Sequence, residues 1–383
     1  MITKPIVHFV ALALVALPAA AQTPPVMHAS LKGEIERAIT KGISFLQSKQ
    51  SADGSWSDAS QPGLTALPLR AVAGDPNRAK GEPLPPWAKK GYGFLLGTQK
   101  VDGGLYTRGL GAYNTSIGLM ALLAANDSAY DKAARKARRF LVNQQQDFDV
   151  KGKTDNPLDG GVGYGGTLAH SDLSNTHLAL EALHYAKKRF SDEGAKDAID
   201  LDWNAAIAFV SRCQNLPGSN DQPWASNDAA ERGGFVYTPV ESKAGEKEVA
   251  PGRKTFRSYG SMSYAGLLSF IYAEVDAKDP RVVAAKEWLE RNYNIKENPN
   301  MGAQGLYYYY HTMAKALAAA GLPKLKTPAG EVDWKNELAL QILSLQKTDG
   351  SWVNEGSNRW MEDDPVLVTS YSLLALEQIY YSL

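Results

Sequence analysis

"GISFLQSKQSADGSW", residues Gly42–Trp56, reads as the end of an amphipathic helix that runs into a tight glycine turn and a tryptophan. Near the other end of the chain, "LQILSLQKTDGSW" (Leu340–Trp352) repeats it. Between them stand "GYGFLLGTQKVDGGLY" (Gly91–Tyr106), "ARRFLVNQQQ" with a later "DGGVGY" (Asp159–Tyr164), and "AIAFVSRCQ" with a later "GGFVY" (Gly233–Tyr237). A weaker copy is "AKEWLERNYN" (Ala285–Asn294). Each opens with apolar residues at helical spacing, and the glycine turns stop the helix. Recurrence of one unit along a chain is the mark of a repeat architecture.

A second, more apolar helix follows every copy. These align without gaps as "TALPLRAV" from Thr65, "TSIGLMAL" from Thr115, "THLALEAL" from Thr176, "SYAGLLSF" from Ser263, "TMAKALAA" from Thr312 and "TSYSLLAL" from Thr369. Three positions on, all but one of the residues are Pro, Gly, Ala or Ser; six positions on, all are Ala or Ser. The continuous apolar character marks a buried inner ring, and the small stripe predicts close approach of neighbouring inner helices. Six outer and six inner helices in alternation predict an all-α, closed (α/α)6 toroid, which needs no capping repeats.

The motif of Phe-Leu, then Gln, Asp-Gly and Trp resembles the QW repeat of squalene–hopene cyclases and related terpene cyclases. The β subunits of protein prenyltransferases carry similar repeats. The resemblance covers nearly all of residues 31–383 and is sharpest at Gln50–Trp56 and Gln346–Trp352. It implies the toroid and an isoprenoid or other hydrophobic ligand. Hopene-type cyclases carry an Asp-x-Asp-Asp-Thr motif whose middle Asp protonates an alkene. Here the matching stretch is Asp172, Leu173, Ser174, Asn175 and Thr176. A serine hydroxyl is no acid for that step. The zinc site of the prenyltransferases is not matched either: Ser174 stands for the Cys and Val368 for the His.

Parallel inner helices would gather their N-termini at one mouth, with the aligned Thr and Ser residues as a hydroxyl ring inside it. The longest connections, about 147–171 and 216–257, belong to that end, and long loops often cover binding sites. The second contains "ESKAGEKEVAPGRK" (Glu241–Lys254), read as a charged, mobile segment. Aromatics concentrate there too: "GLYYYYHTM" (Gly305–Met313), Tyr113, Tyr259, Tyr264, Trp352 and Trp360. The candidate catalytic residues are Asp172 and His311. The candidate ligand-binding residues are Asn114, Asn175, Thr176, Tyr259, Tyr308 and Trp360. Each has a plainer reading, as a helix cap or as core packing.

Other features weigh less. His177, Glu181 and His184 share a helical face that offers a metal site, although no metal and no cofactor is expected. Glu362, Asp363 and Asp364 precede the last inner helix, where acids favour the helix dipole and one facing inward is a candidate acid or base. Cys213, the single cysteine, reads as a buried apolar side chain and excludes an intramolecular disulfide. With 41 basic and 41 acidic residues, no nucleic-acid footprint is expected.

Lys4, the apolar run Ile6–Leu17 and Ala19-Ala20-Ala21 read as a secretory signal over residues 1–21, with a retained N-terminal anchor as the alternative. A linker over 22–30 and a single toroid over 31–383 follow, giving a periplasmic or secreted protein with no transmembrane segment after signal removal. The chemistry stays open among three readings. One is binding or processing of an isoprenoid or lipid. The second is a non-catalytic binding toroid. The third is a polysaccharide lyase or glycosidase that pairs Asp172 with an acid of Glu362–Asp364.

Overall fold

The computed structural model describes residues 25–79, 81–166, 170–191 and 199–383, so the segment read as a secretory signal lies outside the described residues. The outer helices are α1 (Pro25–Ser48), α3 (Pro86–Gly97), α5 (Asp131–Val142), α7 (Trp203–Arg212), α9 (Pro280–Arg291) and α11 (Trp334–Ser344). The inner helices are α2 (Gly63–Gly74), α4 (Gly111–Ala124), α6 (Leu173–Arg189), α8 (Gly260–Tyr272), α10 (Leu306–Ala319) and α12 (Pro365–Ser382). Helix α1 starts inside the stretch read as a linker. Each inner helix packs on the next, and α12 packs back on α2, so the ring closes as an (α/α)6 toroid. No described helix is long and apolar enough to cross a membrane.

The repeat motif is a staple, and its parts have distinct tasks. The glutamine side chain donates both to its own turn and to the next outer helix or the residues leading into it. Gln50 Nε2 reaches the carbonyls of Gly54 and Trp87, each at 3.0 Å. Gln99, Gln145 and Gln214 repeat the pattern on Gly103 and Ala133, Gly160 and Asp202, and Gly233 and Arg281. Gln346 joins Gly350 to Ala38 in α1, closing the last repeat on the first. The turn glycine holds a positive φ, from +83° at Gly160 to +97° at Gly54, and presses its backbone against that next helix. The weak fifth copy lacks the glutamine and the pattern.

The aligned hydroxyls belong to the same staple. The backbone N–H of Trp56, Leu105, Val162, Phe235 and Trp352 donates to Thr65, Thr115, Thr176, Ser263 and Thr369 respectively, at 2.8–3.1 Å. The intervening loop differs in length from copy to copy, yet the contact is the same. Thr312 of the weak copy bonds instead to the carbonyls of Tyr308 and Tyr309. All six hydroxyl residues are fully buried, so they form no ring open to the mouth. A repeat alignment fixes height along a helix, not the direction a side chain points. At two positions the small stripe also admits the turn: a Cβ at Gly118 would meet Leu105, and one at Gly266 would meet Phe235.

Two long connections cover the mouth. The charged segment expected to be mobile is a hairpin, with β1 (Glu246–Ala250) antiparallel to β2 (Arg253–Phe256). Pro251 and Gly252, the latter at φ +72°, supply the turn chemistry that outweighs the charge. A smaller hairpin, β3 (Leu325–Thr327) with β4 (Gly330–Val332), joins α10 to α11 at the opposite end.

Candidate functional site

A cavity of about 260 Å³ opens at the N-terminal mouth of the inner ring. Its wall takes Leu67 and Arg70 from α2, Tyr113, Ile117 and Met120 from α4, Ser174 and Leu178 from α6, Met262 from α8, Tyr308 and His311 from α10, and Tyr371 from α12. The two long loops add Tyr164, Tyr237 and Lys243, and Tyr259 stands just before α8. Trp360 and Met361 form the rim in a short turn at positive φ, and the Trp360 indole packs over Gly305. Six tyrosines and a tryptophan therefore surround a largely apolar space. Such sites hold ligands by area and fix orientation with a few polar groups.

Of the residues singled out from sequence, Tyr259, Tyr308, His311 and Trp360 line this cavity. Asn114, Asp172, Asn175 and Thr176 do not; they hold the frame. Asn114 accepts from the Gly63 N–H at 2.8 Å and donates to Leu110, tying α2 to α4. Asp172 caps α6: Oδ1 accepts from the Asn175 N–H and the Ser174 hydroxyl, and Oδ2 accepts from the Asn175 side-chain amide at 2.7 Å. Burial pushes the Asp172 carboxyl up, although those bonds oppose it. Thr176 is part of the staple. Apart from Asn175 Oδ1, which has no hydrogen-bond partner, their polar chemistry is spent locally, as it is for most helix-start residues of these types.

Ser174 does line the cavity, so the place where the resemblance expects a proton donor faces the ligand space and carries a hydroxyl. The one carboxyl on the wall among the described residues is Glu362. Its Oε1 accepts from the N–H groups of Tyr307 and Tyr308, at 3.0 and 2.9 Å, capping α10 from another element. Burial pushes it up to about 7, even with those bonds favouring the ionised form. Asp364 caps α12 through the Val366 N–H, and Asp363 is exposed.

Below the cavity lies an ion cluster that the sequence reading missed. Arg70 Nη2 and Lys315 Nζ each donate to one oxygen of Glu181 at 2.7 Å, and the Glu181 and Lys315 side chains are 1% and 4% exposed. Burial raises the Glu181 carboxyl, but the two cations outweigh it and hold it far below its ordinary range. Burial lowers Lys315 to about 8. Burial also keeps His177 and His311 neutral, with Lys315 adding to the effect. The His177, Glu181 and His184 face is held mainly by other partners. Glu181 is saturated by cations, His177 Nδ1 bonds the Ser174 carbonyl, and His184 Nδ1 bonds the Tyr272 carbonyl. No group of three potential ligands exists among the described residues. Cys213 is buried, as expected.

The cluster had a sequence signal. Arg70 and Glu181 occupy the same repeat position, which holds Met or Leu in the other four copies, and Lys315 is the single exception to the small stripe. A charge at a core repeat position has to be paired.

No protein-family profile and no curated protein matches the sequence. Solved structures do match the fold. A type II terpene cyclase of Scytonema, MstE, solved with geranylgeranyl dihydroxybenzoate, superposes at TM-score 0.54 and 13% identity, over 93% of this chain and 100% of its own. An unsaturated glucuronyl hydrolase specific for heparin gives 0.55 at 12% identity, over 91% and 97%. An α-1,6-mannanase of Salegentibacter, solved with α-1,6-mannotriose, gives 0.57 at 11%, over 91% and 100%. At such identities the likeness establishes the toroid alone.

Proposed function

We propose that this chain is an exported toroid of the squalene-cyclase and prenyltransferase type that binds a short isoprenoid, or a similar flexible apolar molecule, in the mouth cavity. The observation that carries the reading is the wall itself, with six tyrosines, Trp360 and a surround of Leu, Ile and Met. Its volume, about 260 Å³, is near the lower end of ligand cavities, roughly 300 Å³ upward, which suits a short ligand. The terpene cyclase of matching fold was solved with an isoprenoid conjugate, which supports the ligand class. Export rests on residues 1–21 and places the site outside the cytosol.

Binding is favoured over the chemistry of either fold relative. Protonation of an alkene is disfavoured because Ser174 stands at the donor's place and Asp172 is locked into its cap. Glycoside hydrolysis needs two facing carboxyls, about 5–10 Å apart. Among the described residues the wall offers Glu362 alone.

The test is a titration with farnesol against α-1,6-mannotriose, followed by tryptophan fluorescence. Farnesol is expected to bind and the oligosaccharide to leave the signal flat. Tyr308→Ala combined with Trp360→Ala, titrated by calorimetry because Trp360 is the tryptophan of the cavity wall, should weaken farnesol at least tenfold, since burying an aromatic side chain contributes about 1.5–3 kcal/mol. Trp360 is 44% exposed, so its loss should hardly change the melting temperature. Saturable oligosaccharide binding without a farnesol response would favour the sugar reading.

A further inference from the structure

Depth along the inner helices orders the cavity from rim to floor. Tyr308 lies in the first turn of α10, His311 one turn below it, and Lys315 a further turn down. On α2, Arg70 sits seven residues past the helix start, about 10 Å down at 1.5 Å per residue. Aromatics hold the upper part together with Lys243, which is paired with Glu241 and lies over the Tyr237 ring, and Arg70 and Lys315 lie at the bottom.

At that floor two cations meet one hydrogen-bonded carboxylate. Arg70 and Lys315 share the single carboxylate of Glu181. Burial pushes the carboxyl of Glu377, the other buried acid near Arg70, upward, and its Oε1 has no partner. The polar groups are also under-used. Among the described residues, only Nη2 of the Arg70 guanidinium has a hydrogen bond, while its side chain is 14% exposed and lines the cavity. His311 is 4% exposed, lines the same cavity, and its Nδ1 has no partner. Buried donors and acceptors are nearly always satisfied, and a guanidinium fork matches carboxylate and phosphate oxygens.

We propose that the cavity floor is an anion subsite: the bound molecule enters anionic end first, its carboxylate or phosphate meets Arg70 with His311 as second partner, and its apolar tail runs up between the tyrosines to Trp360. This rests on the hydrophobic-ligand reading above and specifies the ligand as an amphiphile. Glu181 and Lys315 then act as positioning residues, fixing the Arg70 side chain by the bond to Nη2 while its other N–H groups face the ligand. One imidazole tautomer gives His311 Nδ1 an N–H to donate.

Three fifteen-carbon probes test it: farnesol, farnesoic acid and farnesyl monophosphate, each titrated by calorimetry at pH 7. One or both anions should bind at least tenfold tighter than the alcohol, and which of the two is tighter identifies the headgroup. Arg70→Gln should narrow the anion-to-alcohol ratio to about twofold. Should that variant fail to fold, the triple variant Arg70→Met, Glu181→Leu, Lys315→Met, which removes all three charges together, should give the same ratio. An alcohol that binds as well as both anions overturns the subsite and leaves the hydrophobic-ligand reading standing. A tenfold anion preference that survives the Arg70 variants overturns Arg70 as its source. No binding of any probe rejects the underlying reading.

Discussion

Glu181→Leu is expected to lower the unfolding free energy by about 3–5 kcal/mol, the usual cost of stripping one partner from a buried ion pair. Two cations, Arg70 and Lys315, each bonded to Glu181 at 2.7 Å, would stay behind in a water-poor interior. Their separation along the chain, 111 and 134 residues from Glu181, means that the cluster also ties α2 and α10 to α6 across the ring. The loss is specific to the broken pairing. The triple variant Arg70→Met, Glu181→Leu, Lys315→Met should recover most of it, because matched apolar replacements of buried ion pairs are often neutral or stabilising. Urea unfolding of the single and triple variants checks this. A pH series gives a second reading. Glu181 ionises far below its ordinary value of 4.5, so its contribution is complete above that value and is lost as the pH falls below it. The Leu variant should lack that part of the acid sensitivity.

The second large effect concerns the staple. Gly233→Ala should destabilise by at least about 3 kcal/mol, or leave the protein insoluble. At φ +95° an L side chain is strained whatever the space, and here the new Cβ would run into the Ala284 carbonyl of α9. Relief would move the turn away from α9 and break the bonds from Gln214 to Gly233 and Arg281, at 3.1 and 2.8 Å. Gly218→Ala is the control: that glycine is exposed, has no positive φ and would meet nothing within 4 Å, so a change within about 0.5 kcal/mol is expected.

The toroid was readable because its staple is made of residue types. A Gln, a positive-φ glycine and a Thr or Ser each do one task in five of the copies, and the task repeats in the letters. The mouth was readable for the same reason, since aligned helix starts lie at one height. The wall was less so. Asn114, Asp172, Asn175 and Thr176 are at the right height, yet their hydrogen bonds turn them into the frame. Tyr308, His311 and Trp360 are at the same end and do face the space. Which way a side chain turns depends on the neighbouring repeat, and a within-repeat pattern does not carry that information. Arg70, Glu181 and Lys315 illustrate a different limit. Each departs visibly from its repeat position, but their partnership spans three separate helices, and helical spacing speaks only of residues on one helix.

The central claim is that the tyrosine-lined mouth cavity is a ligand site. A crystal structure of the protein grown with saturating farnesoic acid tests it most directly. Continuous density running from the Arg70 guanidinium, past His311 and Tyr308, to the Trp360 rim is the expected result. An empty cavity with density elsewhere on the protein, or no bound molecule at all, would contradict it.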